Sequence, residues 1–403
     1  MALNTEYTQF FKKWFADAAP VAGVKANGTL TISGVVSDTQ TCTIGSNVYE
    51  FDINNSITAG RIKVDVANLR NQATGTLTFS GVVADAETVT IGTRVYEFDF
   101  NDSITEGNVK VDISAGGTAA TGTLTFSGAT SDGETVVIGN RTYEFDTDNN
   151  VSAVDHVRVD ISGGATAAAS VTALVAAITG DQDVAAVIAV DGEGDTVVVT
   201  SRVKGTTGNN IDSTTTCANA AWGAAKLANA TDCAATTAIT ALVSAITGDE
   251  DAVVTSVDGE GDTVVVTSIA KGTAGNAYDS TETCANAAWG AAKLSGGLDT
   301  VTAANAVTAL VNAINTNDSD VTATDGAGDT VVVKYNWVGT TGNSIATTET
   351  MTNGAWGHDH LENGVYATPV NCPAFIIIEG VWYIADAPVT KYTEGGWKSA
   401  TPA

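Results

Sequence analysis

The chain has 403 residues, with 46 Asp and Glu against 18 Lys and Arg, a formal charge of −28. A DNA or RNA partner needs clustered cations to displace phosphate counterions, and no basic run exceeds the pair Lys12-Lys13; nucleic acid and anionic membrane surfaces are excluded on that ground. Apolar residues reach 44% and aromatics only 6%, which argues against an acidic disordered tail and for a strand-rich fold of small residues.

No stretch approaches the roughly 18 consecutive apolar residues of a membrane span. The start, MALNTEYTQFFKKWF, lacks the basic, apolar and small-residue order of a signal peptide, so the expectation is a chain that stays in the cytoplasm at synthesis. Within residues 1–20, Tyr7, Phe10, Phe11, Trp14 and Phe15 fall at i, i+3, i+4, i+7 and i+8, one stripe on a short helix. Such a stripe must be covered. Either it packs on the chain's own first domain or C-terminal segment, or it docks a partner or another copy; these five are the candidate docking residues.

A front unit follows three times. GTLTISG or GTLTFSG begins at Gly28, Gly75 and Gly122, a spacing of 47 (75−28 and 122−75). Each copy continues to an aromatic strand ending YEFD at Asp52, Asp99 and Asp146, then to Val64-Asp65, Val111-Asp112 and Val159-Asp160. Alternating residues predict half-buried antiparallel strands, with no helix to cover their apolar face.

A back unit then repeats three times. Asp-Gly-x-Gly-Asp-Thr before a VVV strand begins at Asp191, Asp258 and Asp325, a spacing of 67 (258−191 and 325−258), and Trp222, Trp289 and Trp356 keep it. Upstream of each lies an apolar stripe at helical spacing: Val171, Leu174, Val175, Ile178; Ile239, Leu242, Val243, Ile246; Val307, Leu310, Val311, Ile314. Gly180 and Gly248 end the first two helices at positions suited to a left-handed cap. The C-terminal segment, 362–403, reads as two short strands, Phe375–Glu379 and Val381–Ala385, around Gly380.

The expected fold is therefore α+β and strand-dominated: three similar small domains of antiparallel strands plus one helix each. One front and one back unit together approach the usual domain size of roughly 100–150 residues. The arrangement without crossing connections is nesting by successive insertion. Domain one is 28–68 plus 301–361, domain two is 75–117 plus 234–297, and domain three is 122–229. Tyr143 should then share a domain with Trp222, Tyr96 with Trp289 and Tyr49 with Trp356. All five prolines lie outside 21–368, so the flanks are different material.

The chemistry is sparse. DGxGDT resembles a calcium loop, with Asp191 and Asp195 as ligands, but it lacks the downstream bidentate Glu, and a polar hairpin turn accounts for it better. His358 and His360 form an HxH with no third ligand nameable, and His156 stands alone. Cys42, Cys217, Cys233, Cys284 and Cys372 are scattered without CxxC spacing and read as buried free thiols. KGTTGNN lacks the GK[ST] ending of a phosphate loop. Carboxylates that recur in every unit point to shared fold rather than to one catalytic constellation, so no enzyme and no cofactor is expected. The three repeated tryptophans fit core anchors among small residues better than sugar platforms.

From GTLTFSG through ETVTIGTRVYEFD to VTALVAAITGD, DTVVVTS and KGTAGNA, the sequence resembles a repeat domain type found in virion structural proteins of tailed bacteriophages, in tail, fibre or capsid-decoration polypeptides. The resemblance covers about residues 28–361, though its order departs from the usual front-then-back pattern. It implies a non-enzymatic virion protein, a capsid- or tail-attached fibre, spike or decoration, assembled in the host cytoplasm and displayed on the virion surface. Its partners would be other virion proteins and possible further copies of itself. The alternative is a carbohydrate-binding adhesin or receptor-binding module holding a host-surface glycan.

Overall fold

The computed structural model describes residues 22–181 and 186–367, and the strands Phe375–Ile378, Val381–Ala385 and Trp397–Ala400. The docking stripe Tyr7, Phe10, Phe11, Trp14 and Phe15 lies outside the described residues. Phe375–Ile378 and Val381–Ala385 are strands, as expected; they pair antiparallel, and Trp397–Ala400 adds a third strand to that sheet.

The described chain is strand-dominated with three helices, α1 (Ala167–Gly180), α2 (Ala235–Gly248) and α3 (Ala303–Asn317). The GTLT strands Lys25–Ile32, Gln72–Phe79 and Ala119–Phe126 lie inside sheets because alternate residues are apolar: Leu30, Leu77 and Leu124 are fully buried. Each is flanked by two strands from the second half of the chain. Lys25–Ile32 pairs with Thr330–Val338 and Gly354–Trp356. Gln72–Phe79 pairs with Thr263–Lys271 and Ala287–Trp289. Ala119–Phe126 pairs with Thr196–Lys204 and Ala220–Trp222.

A second sheet accompanies each of these. In the first repeat its order is Thr347–Glu349, Thr41–Ile44, Asn47–Asp52, Ile62–Asp65. The last pair runs parallel, Tyr49 opposite Ile62 and Asp52 opposite Asp65, and the same holds for Tyr96 with Val109 and Tyr143 with Val157. This corrects the expectation of antiparallel strands only. A parallel neighbour needs a crossover rather than a hairpin, and the loop after each YEFD strand supplies it.

Three hydrophobic cores result, each built from one front and one back segment. Tyr49 and Phe51 share a core with Leu310 and Val331, Tyr96 and Phe98 with Leu242 and Val264, and Tyr143 and Phe145 with Leu174 and Val197. The chain divides into two compact units, 1–70 with 299–403, and 71–298. The second and third cores thus share one unit. Within it, Val203 of the third repeat packs against the second core, and Val83 and Cys233 exchange backbone hydrogen bonds of 2.8 and 2.9 Å.

The helices bury the expected stripe, with Leu174, Leu242 and Leu310 fully covered, but they end differently from expectation. Gly180 and Gly248 are the last helical residues and neither has positive φ; the caps are Asp181 (φ −96°) and Asp249 (φ −85°), with Asp318 (φ −115°) after α3. What holds each end is a tertiary contact. The YEFD tyrosine donates its hydroxyl to the cap carboxylate: Tyr143 to Asp181 at 3.3 Å, Tyr96 to Asp249 at 3.0 Å and Tyr49 to Asp318 at 3.1 Å. Arg141 and Arg94 add bidentate pairs of 2.6–2.8 Å, and Asn47 takes that place in the first repeat at 2.9 Å. Burial, then the facing carboxylate, pushes all three phenols above their ordinary range.

Asp249 is only 5% exposed at its side chain, so removing it strands both Arg94 and the Tyr96 hydroxyl. Asp249→Ala should cost about 1–3 kcal/mol and Tyr96→Phe roughly 1 kcal/mol. Urea denaturation followed by circular dichroism reads both, and an unchanged midpoint for Asp249→Ala would refute the assignment.

Candidate functional site

The densest polar constellation among the described residues occurs three times. On each YEFD strand the tyrosine and phenylalanine enter the core, so period-2 geometry sends the glutamate and aspartate to the opposite face. They are not solvated there: Glu50, Asp52, Glu97, Asp99, Glu144 and Asp146 are each 1–3% exposed. The crossover loop to the parallel strand folds over them and turns its backbone amides inward.

In the first repeat, Glu50 accepts from the amide of Thr58 at 3.0 Å and from Arg61 Nη1 at 2.5 Å. Asp52 Oδ1 accepts from the amide of Ser56 at 3.0 Å, while its Oδ2, without a well-angled hydrogen bond, faces Lys63 Nζ at 3.1 Å. In the second, Glu97 takes the amide of Thr105 and Asn108 Nδ2, and Asp99 takes the amides of Asp102 and Ser103, with Lys110 Nζ at 3.3 Å. In the third, Glu144 takes the Ser152 amide at 2.8 Å, the Ser152 hydroxyl at 2.6 Å and Nδ1 of His156. Asp146 there takes the amides of Asn149 and Asn150 and Nε of Arg158. The position over the buried glutamate is thus Arg61, Asn108 or His156, which gives His156 a structural partner that its isolation in the sequence concealed.

Burial acts to raise these carboxyls, and the amides and cations overrule it: Glu50, Asp52, Asp99, Glu144 and Asp146 all lie below their ordinary values. A carboxylate held ionised and saturated by its own loop has no proton to give and no open face to attack with. Asp132, Asp146 and Asp148 bring three carboxylate oxygens within 4.8 Å of one another. Asp132 already accepts from the Thr147 amide and hydroxyl, and Arg158 occupies Asp146.

The other sequence candidates are placed as follows. DGxGDT forms the hairpin between Val187–Asp191 and Thr196–Lys204 and between Val254–Asp258 and Thr263–Lys271, closed by Gly192 and Gly259 donating to Thr196 and Thr263 at 2.9 Å. Its carboxylates, Asp191 and Asp195 included, join no three-ligand group among the described residues. His358 Nε2 meets Glu362 at 2.9 Å and His360 meets Asp359, so the HxH imidazoles serve separate carboxylates. Cys42, Cys217, Cys233 and Cys284 are free and buried, and burial raises the Cys284 thiol to about 12, far from the thiolate that reactivity needs. Cys372 lies outside the described residues.

Trp222, Trp289 and Trp356 are half-buried rather than central anchors. Each sits on an edge strand, donates Nε1 to a threonine carbonyl at 3.1–3.2 Å (Thr214, Thr281, Thr348) and lays one ring face over the first glycine of GTLT. A Cβ on Gly75 would lie 2.5 Å from Leu294 and 3.3 Å from the Trp289 ring, which is why that strand carries glycine there.

Comparison with known proteins finds no matching family model, no matching curated protein and no matching solved structure. No helix among the described residues is long and apolar enough to cross a membrane.

The lowered carboxyls fix a pH dependence. A carboxyl whose folded value is depressed stabilises fully above its unfolded value, near 4, and loses that contribution as pH falls through the folded value. Thermal denaturation should therefore be nearly flat from about pH 7 to 5 and drop progressively below about pH 4; a midpoint that holds to about pH 2 would contradict the role given to these five groups.

Proposed function

We propose that the chain is a non-enzymatic structural protein of a bacteriophage virion, a capsid- or tail-attached fibre, spike or decoration built from repeated β-rich domains. The observation that carries this reading is the repetition itself. Among the described residues the most elaborate polar site occurs three times and is spent inside the fold, on closing loops over buried carboxylates. A reaction centre needs one constellation open to a substrate; a spacer needs the same rigid unit several times. The bacteriophage assignment rests on the resemblance of the GTLTFSG, YEFD and KGTAGNA segments, and the particle's location would be the virion surface after assembly in the host cytoplasm. Attachment to other virion proteins, or to further copies, runs through the two flanks.

We read the three cores as successive insertions. The front segments 28–68, 75–117 and 122–161 take partners in reverse order from the back of the chain, a reading supported by the strand pairs of Leu30 with Trp356, Leu77 with Trp289 and Leu124 with Trp222. Both flanks then belong to the first repeat.

A second reading, a carbohydrate-binding module, is favoured by one observation: each repeated tryptophan keeps part of its ring open at a sheet edge. Two measurements separate the readings. Mass spectrometry and immunogold labelling of purified particles should find the chain at fixed stoichiometry on the surface; its absence from particles would sink the first. Binding on a glycan array that disappears in Trp222→Ala, Trp289→Ala or Trp356→Ala, with melting unchanged, would establish the second.

A further inference from the structure

One face of the fold differs between repeats in a way that the packing of the third repeat explains. In the second unit, Phe100 at the start of the second crossover loop reaches the third repeat, where a Cβ on either Gly117 or Gly205 would lie 3.0 Å from its ring. Gly117 and Gly205 have φ of 62° and 90°, and between them they form a shallow socket for an apolar ring. Around that socket the third repeat carries Thr118, Val203, Lys204, Thr231 and Asp232. Lys204 donates to the carbonyl of Ser114, and Asp232 accepts from the Thr206 amide and hydroxyl. The face is therefore covered by the neighbouring repeat and trimmed with polar groups.

The first repeat has the same face with different residues. At the corresponding repeat positions stand Val24, Trp337, Val338, Val365 and Tyr366, all apolar or aromatic and between 44% and 56% exposed. They form one patch. Val24 and Val365 exchange backbone hydrogen bonds of 2.8 and 3.0 Å, the Gly339 amide donates to the Val24 carbonyl at 3.1 Å, and the Tyr366 ring lies over Gly339, the counterpart of Gly205. Trp337 stands edge-on to Tyr335 with ring centroids 5.1 Å apart. At the other extreme, the third repeat has exposed Thr147 where the second has buried Phe100. The last crossover loop is thus polar, as the outer face of a terminal repeat should be, while the corresponding face of the first repeat is apolar, its glycine covered by the chain's own Tyr366 and the outer surface of the patch about half exposed.

We propose that this patch is the seat of the aromatic stripe Tyr7, Phe10, Phe11, Trp14 and Phe15 of the same chain. Connectivity brings the two together: the described chain enters at Ala22, two residues before Val24, and the seven residues from 15 to 22 span at most about 25 Å when extended. Composition matches as well, since five apolar side chains meet a patch of five, and neither set includes a charge. The third repeat shows that this face accepts an aromatic ring. Helical spacing places Lys12 and Lys13 opposite the stripe, so a seated segment turns the chain's one basic pair outward from an otherwise acidic protein. The proposal does not rest on the virion reading; a stripe seated on its own chain leaves the outward face of that flank, with Lys12 and Lys13, and the C-terminal flank for attachment.

Limited trypsinolysis of the full chain tests it, because Lys12 and Lys13 are cleavable only when the segment opens. Cleavage after either, followed by mass spectrometry of the released peptide, should be slow in the native chain. It should be at least tenfold faster in Trp337→Ala with Val338→Lys, the residues that the second repeat carries at these positions. Equal rates overturn the proposal. So does a native dimer by light scattering that the double substitution converts to monomer, because the segment would then sit on a second copy. If that variant misfolds, Phe11→Asp with Phe15→Asp leaves the described fold untouched and should uncover the patch, read as a several-fold rise in ANS fluorescence; no rise overturns it equally.

Discussion

Each repeat depends on one strand that is buried on both faces. Tyr-Glu-Phe-Asp sends two rings into a hydrophobic core and two carboxylates beneath a loop, and neither face is left to water. Burying an ionised carboxylate is tolerable only when hydrogen bonds and a counter-charge replace its hydration. The crossover loop meets that requirement with inward amides and with Arg61 and Lys63, Asn108 and Lys110, or His156 and Arg158. The loop in turn delivers the parallel strand that closes the second sheet. The tyrosine of the same strand reaches past the core to the end of the helix supplied by the back unit. Core, loop, sheet edge and helix end are thereby tied to four consecutive residues.

Long-range pairing is the second constraint. The GTLT strands are flanked on both sides by strands far away in sequence, so no front segment can complete a sheet or cover its apolar face from its own neighbourhood. Glycine within the strand lets a tryptophan ring and a leucine close over it, which seals the sheet at its edge. This explains how a chain with so few large side chains still forms three buried clusters: strands of Val, Leu and Thr are stacked against an Ala-rich helix, and each cluster has one buried Tyr and one to three Phe as its bulk.

The differences between copies carry as much meaning as their similarity. Positions that only close the fold keep their chemistry, as in the Tyr-to-Asp contact at each helix end. Positions at the periphery vary with their surroundings: Phe100 is buried where another repeat receives it, whereas Thr147 is polar where the series ends. A functional reading drawn from the shared motifs alone therefore describes the scaffold, and the place to look for a partner is where the copies diverge.

The repeats, their two spacings, the helical stripes and the strand-dominated α+β class were legible in the residues, because hydrophobic periodicity and recurrence are local properties. Leu174, Leu242 and Leu310 fell where a 3.6-residue period put them, and DGxGDT became the hairpin that its glycines allow. Three features were decided only by tertiary structure. The parallel register of the Val-Asp strand depends on a crossover whose direction no local pattern encodes. The burial of Glu50, Asp52 and their counterparts runs against their polarity, and only the covering loop makes it possible. The helix ends are set not by Gly180 or Gly248 but by tyrosines distant in the chain, since a contact between separate segments leaves no period for the sequence to display.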